Sequence, residues 1–92
     1  MRVQIYGIYD VVSGSWYLPL RFERNEDSAK RAFVFEIQQN RFLSDHAKDF
    51  ELHCLGYFED ELGLLVGCSQ DFDRNSYLVM RGDSIVQSEK NG

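Results

Sequence analysis

Two histidines and two cysteines are the side chains of this 92-residue sequence that could build a metal centre or a thiol nucleophile: His46, His53, Cys54 and Cys68. A structural zinc site takes four such ligands in a tetrahedron. His53 and Cys54 are neighbours on a predicted strand, so their side chains should point to opposite faces. A phosphate-binding loop of the G-x-x-x-x-G-K type is absent from the sequence. We therefore predict no enzymatic activity, no catalytic residue, no metal and no cofactor, with both cysteines reduced inside the fold.

Aromatic and basic side chains are concentrated between residues 16 and 41. Single-stranded nucleic acid binds where cations follow the phosphates and aromatic rings stack on the bases. The segment therefore offers a nucleic-acid surface with five cations for phosphates and two rings for stacking. These candidates are Arg21, Arg24, Lys30, Arg31 and Arg41 for the phosphates, with Trp16 and Tyr17 for the bases. On this interpretation, replacing Arg21, Arg24 and Arg31 together should weaken binding and flatten its salt dependence.

The same segment also fits an ordinary solvated face. Trp16 and Phe22 would then pack into the core. The cations would balance nearby carboxylates, namely Glu23, Glu26, Asp27 and Glu36. From the residue types alone, this second interpretation is favoured.

The net charge of −5 argues against simple non-specific nucleic-acid binding over the whole surface. Residues 1–48 hold seven of the ten basic residues and six acidic ones, whereas residues 49–92 hold three basic and nine acidic residues. A nucleic-acid surface is thus expected in the first half. The alternative is an acidic protein-interaction module, whose acidic half (Glu59 to Asp83) binds a basic partner. In a variation of this alternative, the acidic face mimics DNA and occupies the phosphate-binding groove of the partner. No uninterrupted apolar run exceeds four residues, so a membrane-spanning helix is not expected.

The hydrophobic pattern predicts one α+β domain over residues 1–87 and a flexible tail at 88–92. Strands are predicted at 3–9, 15–22, 50–58, 64–68 and 77–80, with a polar loop at 69–76 and a last strand fragment at 84–86. The order β-β-α-β-β-β predicts a small antiparallel sheet of four to five strands with one helix packed on one face. Apolar residues on both faces of 3–9 indicate a central strand, and Pro19 places 15–22 at a sheet edge.

A helix is predicted to begin after the cap candidates Asn25, Asp27 and Ser28. Its apolar stripe contains Ala29, Ala32, Phe33 and Ile37. Val34 and Phe35 fall outside that stripe, which indicates either a wide buried face or a contact with a second copy of the chain. Strict alternation along 50–58 would place Phe50, Leu52, Cys54 and Phe58 on one face.

Three segments resemble the small non-structural proteins of the gokushoviruses, which are tailless phages with single-stranded DNA. The segments are the opening MRVQIYGIYD, the helix SAKRAF and the stretch HAKDFELHCLGYFEDELG. The family's segment H-P-E-D-Y-x-L-x-x-x-G-x-F-D-x-x-T-G is matched here at His46, Asp49, Phe50, Leu52, Gly56, Phe58 and Gly63. The sequence departs from the pattern at Ala47, where proline is usual, and at Leu62, where threonine is usual.

This resemblance spans roughly residues 1–68 and implies a non-catalytic role during phage DNA synthesis. Proteins of the family are described as non-structural or DNA-binding and as counterparts of the protein that shifts small phages towards single-strand synthesis and packaging. The implied partners are single-stranded DNA, the replication initiator or the capsid. We also expect a homodimer, located in the cytoplasm of the bacterial host and without membrane contact.

Overall fold

A computed structural model describes residues 1–67 and 77–85 of the chain. It contains a five-stranded antiparallel sheet in the order β2-β1-β3-β4, with β5 also paired to β3. The strands are β1 (Arg2–Asp10), β2 (Ser15–Glu23), β3 (Phe50–Glu59), β4 (Leu64–Gly67) and β5 (Leu78–Arg81). The helices are α1 (Glu26–Gln39) and α2 (Arg41–Asp45), followed by a 3-10 turn at Ala47–Asp49. The α+β class and the order β-β-α-β-β-β are confirmed.

Strand β1 lies in the interior of the sheet and β2 lies at its edge, as the apolar pattern and Pro19 predict. β1 pairs with β2 on one side and with β3 on the other. An edge position suits proline because this residue has no backbone N–H to donate to a neighbouring strand. The register between β1 and β2 shifts after Tyr6, so that Ile8 pairs with Tyr17 and Tyr6 with Arg21.

Helix α1 begins directly after Asn25, one of the predicted cap residues. Asn25 is the N-cap, and its side chain accepts a hydrogen bond from the Ser28 backbone N–H at 2.8 Å. Ala29, Phe33 and Ile37 of the predicted stripe are buried, whereas Ala32 is half-buried. After Gln39, Asn40 caps a second short helix, α2, by accepting from the Leu43 N–H.

The core lies between α1 and one face of the sheet, which we call the helix face. The opposite face, which no described helix covers, is called the open face. The core residues from the sheet, the helices and the chain after β5 are Tyr6, Ile8, Ala29, Phe33, Ile37, Leu43, Ala47, Phe50, Leu52 and Ile85. The open face carries Ile5, Tyr9, Trp16, Phe22, His53, Phe58 and Leu65, as their cross-strand pairing shows.

Strand β3 contains a bulge that the simple alternation does not predict. Ile5 pairs with Gly56 and Tyr6 with Cys54, so Leu55 is an extra residue. Gly56 has φ +151°, and a Cβ there would lie 2.1 Å from the Val66 carbonyl oxygen, so this position requires glycine. Because of the bulge, Phe58 pairs with Val3 on the open face. The expectation that Phe58 shares a face with Phe50, Leu52 and Cys54 is therefore wrong.

The end of the described chain differs in one respect from the predicted strands. β5 is present, but Asp83–Ile85 form a helical turn in place of the strand fragment predicted at 84–86. Ile85 is buried, and its N–H donates to the Gly82 carbonyl at 3.1 Å. The helical turn thus places this side chain in the core. Cys68, the predicted loop at 69–76 and the tail at 88–92 lie outside the described residues.

Within the described ranges, no helix is long and apolar enough to cross a membrane.

Candidate nucleic-acid interface

The two predicted stacking rings lie on opposite faces of the sheet. Trp16 pairs with Tyr9 on the open face, and its ring centroid lies 4.9 Å from that of Tyr9 and 5.3 Å from that of His53. Tyr17 lies on the helix face, 6.4 Å from the ring of Phe50. Adjacent residues of a strand point to opposite faces. A single nucleic-acid strand therefore cannot stack on both rings across one surface of the sheet.

Two of the five predicted cations do not join the others: Arg21 is engaged in a salt bridge, and Arg41 is distant from the start of α1. Arg21 lies on the helix face and forms a salt bridge with Glu36 of α1, which ties β2 to the helix. Arg41 begins α2, beyond the C-terminal end of α1, and its side chain is 95% exposed, with Asp45 at 3.8 Å. The structure therefore does not bring these two residues together with the cations near the start of α1.

The other three cations, Arg24, Lys30 and Arg31, lie at or near the first two turns of α1. Arg24 is exposed just before the N-cap. Lys30 and Arg31 line a shallow groove of about 340 Å³ on the outer side of the helix. Lys30 lies 3.9 Å from Glu26. In the part of the chain that the structure describes, no carboxylate pairs with Arg24 or Arg31, so both guanidinium groups can contact phosphates.

An exposed aromatic ring in this groove, Phe35, was not among the predicted site residues. Its side chain is 64% exposed and lines the groove together with Lys30 and Arg31. Val34, by contrast, packs against the core. The signal was present in the sequence, since Phe35 falls outside the apolar stripe of α1. An apolar ring beside two cations has the composition of a surface that stacks on bases.

A larger cavity of about 550 Å³ lies at the N-terminal end of α1. Gln4, Tyr6, Arg24, Asn25 and Glu26 contribute its polar lining. Burial raises the pKa of the Tyr6 phenol to about 12, with smaller contributions from Cys54, Glu26 and Glu23. This hydroxyl therefore stays protonated and can donate a hydrogen bond at any physiological pH.

The polar groups buried on the open face satisfy each other. His53 is 1% exposed and lies 3.1 Å from the Glu51 carboxylate, which also lies 3.7 Å from the guanidinium of Arg81. Trp16, Leu20 and Leu55 meet over Gly7 beside this group. Buried charges are tolerated when they are paired in this way. Among the described residues, no group of three histidine, cysteine or acidic side chains could hold a metal ion.

A cluster of acidic residues lies at the turn between β3 and β4. Hydrogen bonds from the N-terminal ammonium group lower the pKa of Glu59 and of Asp60, and the same contacts raise the pKa of that ammonium group. Leu62 and Leu64, beside these carboxylates, are 76% and 50% exposed. This hairpin is the feature of the described chain that best fits the acidic interaction module considered above.

The fold defines a small α+β protein whose candidate sites lie on the surface of α1 and at its N-terminal end. Residues 3–84 match the model of the family described as Phage ORF5 protein. Because the match covers most of the chain, the protein belongs to the phage ORF5 protein family. No curated protein sequence and no solved structure is significantly similar to it.

Proposed function

We propose that this phage protein is non-catalytic, of the gokushovirus type, and acts in single-stranded DNA synthesis or packaging by binding single-stranded DNA in the cytoplasm of the bacterial host. The observation that carries the proposal is the arrangement on α1. Arg24 and Arg31 pair with no described carboxylate, and the exposed ring of Phe35 borders the groove that Lys30 and Arg31 line.

The physical basis is electrostatic attraction together with stacking. Each cation that neutralises a phosphate releases condensed counterions, and affinity for a single strand then falls with salt at a logarithmic slope of about 0.7 per contact. Three contacts would give a slope of about −2. The net charge of −5 adds long-range repulsion, so binding should be confined to this surface and should weaken quickly as salt increases.

We expect a variant with Arg24→Ala and Arg31→Ala to bind a labelled single-stranded oligonucleotide more weakly than the natural sequence. Two lost phosphate contacts should lower the magnitude of the salt slope by about 1.4. Fluorescence anisotropy, titrated at several salt concentrations, measures both quantities. The control is Lys48→Ala, which removes one positive charge from an exposed residue of the 3-10 turn outside α1.

A loss of affinity per removed charge that is as large in the Lys48→Ala control as in the double variant would show that net charge, not this surface, governs binding. No binding of the natural sequence at low salt would reject the proposal. Arg21→Ala is a less suitable probe, because removal of its salt bridge with Glu36 should also destabilise the contact between β2 and α1.

The second candidate function is an acidic protein-interaction module that contacts no nucleic acid. The hairpin between β3 and β4 favours it, since three carboxylates crowd a turn beside exposed leucines. Such a surface suits a basic partner, for which the replication initiator and the capsid are the candidates. The oligonucleotide titration separates the two functions, because this module predicts no binding at any salt concentration.

We also propose that two copies of the chain pair through the open face of the sheet. Leu20, Phe22 and Leu65 on this face are 38%, 55% and 64% exposed and carry no charge. Two chains with a net charge of −5 repel each other at long range. The exposed apolar side chains of this face are where they can approach, and burying them stabilises the pair by about 25 cal/mol per Å² of apolar area.

The expected result is a mass of twice the 10.8 kDa chain in sedimentation velocity, reduced to the single-chain mass by Phe22→Asp. Phe42→Asp changes an equally exposed phenylalanine on α2 and should leave the mass unchanged. A natural sequence that sediments as a single chain at every concentration would contradict the dimer.

A further inference from the structure

The hydroxyl of Tyr6 is buried beside the cavity at the start of α1 and has no hydrogen-bond partner among the described residues. Tyr6 is 3% exposed, and its side chain contributes to the cavity wall. Buried hydroxyl groups are nearly always hydrogen-bonded, to protein or to a bound molecule. The cavity is therefore lined by a buried residue whose hydroxyl group a ligand can satisfy.

A cluster of donors surrounds the opening of the same cavity. Arg24, which pairs with no described carboxylate, lines it together with Asn25 and Gln4. The N–H groups of Glu26 and Asp27, at the first positions of α1, have no acceptor within the described ranges, since Asn25 caps only Ser28. A guanidinium group beside unpaired helix N–H groups favours an anion such as a phosphate.

The remaining wall comes from β5, from Tyr77 before it and from Cys54 of β3. Leu78 and Val79 give this part of the lining an apolar character. A volume of about 550 Å³ lies within the range of about 300–1,000 Å³ that is typical of small-molecule sites. Apolar and polar lining residues together suit a flat ring with polar edges.

We propose that this cavity binds a deoxynucleoside phosphate, free or as one unit of a DNA strand. The inference deepens the proposed function and rests on it for the choice of ligand. In this arrangement Arg24 and the start of α1 hold the phosphate. The Tyr6 hydroxyl and the Gln4 amide contact the edge of the base.

One carboxylate in the lining would repel a bound anion, and a neighbouring cation partly neutralises this carboxylate. Glu26 lines the cavity, and the ammonium group of Lys30 lies 3.9 Å from its carboxylate. Glu23, at the end of β2, is half-buried nearby and adds to the negative charge. This balance of positive and negative charges predicts modest affinity for phosphate alone. The base must therefore contribute to binding.

The test is calorimetric titration of the whole chain with deoxyadenosine 5′-monophosphate, with deoxyadenosine and with inorganic phosphate. We expect the monophosphate to bind more tightly than either part. Arg24→Ala should weaken this binding about tenfold or more, because a charge-assisted hydrogen bond is lost. Tyr6→Phe keeps the ring and its packing and should weaken binding about threefold to tenfold. Lys48→Ala should leave it unchanged.

Monophosphate binding no tighter than that of inorganic phosphate, or insensitive to both Arg24→Ala and Tyr6→Phe, overturns the inference. Oligonucleotide binding without monophosphate binding also overturns it and leaves the proposed function intact. Monophosphate binding that depends on both residues, in a protein that binds no oligonucleotide, supports the cavity as a site for free nucleotides and rejects the proposed function. Displacement of the labelled oligonucleotide by the monophosphate assigns the cavity to a unit of DNA.

Discussion

Replacing Gly82 by alanine should remove at least about 3 kcal/mol of the free energy of unfolding. A Cβ atom at this buried position would lie 1.9 Å from the Ala47 carbonyl oxygen and 2.8 Å from the Ala47 carbonyl carbon. Both are backbone atoms, so no change of rotamer relieves the clash. The backbone itself must move, and in a close-packed interior such a movement disturbs neighbouring contacts.

The position is sensitive because Gly82 connects three parts of the fold. Its N–H donates to the Phe50 carbonyl at 2.8 Å, and its carbonyl accepts from the N–H of Ile85, which is buried in the core. Displacement of Gly82 would separate the end of β5 from the start of β3. Chemical denaturation measures the effect. Gly67→Ala is the matched control, because a Cβ there would meet nothing within 4 Å.

A Gly82→Ala protein as stable as the Gly67→Ala protein, to within about 1 kcal/mol, would contradict this prediction. Failure of the variant to fold agrees with it, provided that the control folds normally. Because Gly82 is distant in sequence from Ala47, only the assembled structure reveals the contact.

The elements that the sequence predicts well are those with local causes. Asn25 caps α1 because its side chain reaches the Ser28 N–H three residues later. The buried positions Ala29, Phe33 and Ile37 follow from helical spacing. Pro19 places β2 at an edge because it lacks an N–H group. In each case the reason lies within one turn of helix or one strand.

The features that escaped prediction depend on long-range contacts or on one local irregularity. The extra residue at Leu55, next to Gly56, transfers Phe58 to the open face, which strict alternation cannot anticipate. The pairing of Arg21 with Glu36 requires β2 and α1 to be packed together. The placement of Trp16 and Tyr17 on opposite faces, by contrast, could have been predicted, since adjacent residues of a strand point to opposite faces.

The residue types of the candidate site could therefore be predicted from the sequence, but the positions of only some of its residues could. Three of the five predicted cations, Arg24, Lys30 and Arg31, lie at or near the start of α1. The ring that accompanies them is Phe35, not Trp16. Packing explains why Phe35 is available and Trp16 is not. Trp16 is partly covered by Tyr9 and His53, whereas Phe35 lies outside the buried stripe of its helix.

Phe33 and Phe35, two residues apart on α1, should therefore differ in what their replacement by alanine changes: stability for Phe33 and DNA binding for Phe35. Phe33 is 0% exposed in the centre of the core. Phe33→Ala should lower the free energy of unfolding by about 3–5 kcal/mol, because it removes buried contacts and leaves a cavity. This is a large part of the roughly 5–15 kcal/mol that stabilises a typical domain. Thermal or chemical unfolding measures it directly.

Phe35→Ala should change stability by less than about 1 kcal/mol, because its side chain is 64% exposed, but it should weaken single-stranded DNA binding by about 1–3 kcal/mol for a lost stack. The two variants place the same residue in the same helix, so each controls for the helix propensity of the other. Anisotropy at low salt measures the affinity. The salt slope should remain that of the natural sequence, since no phosphate contact is lost. An unchanged affinity would remove Phe35 from the interface, and a changed slope would mean that the ring acts by positioning Lys30 or Arg31.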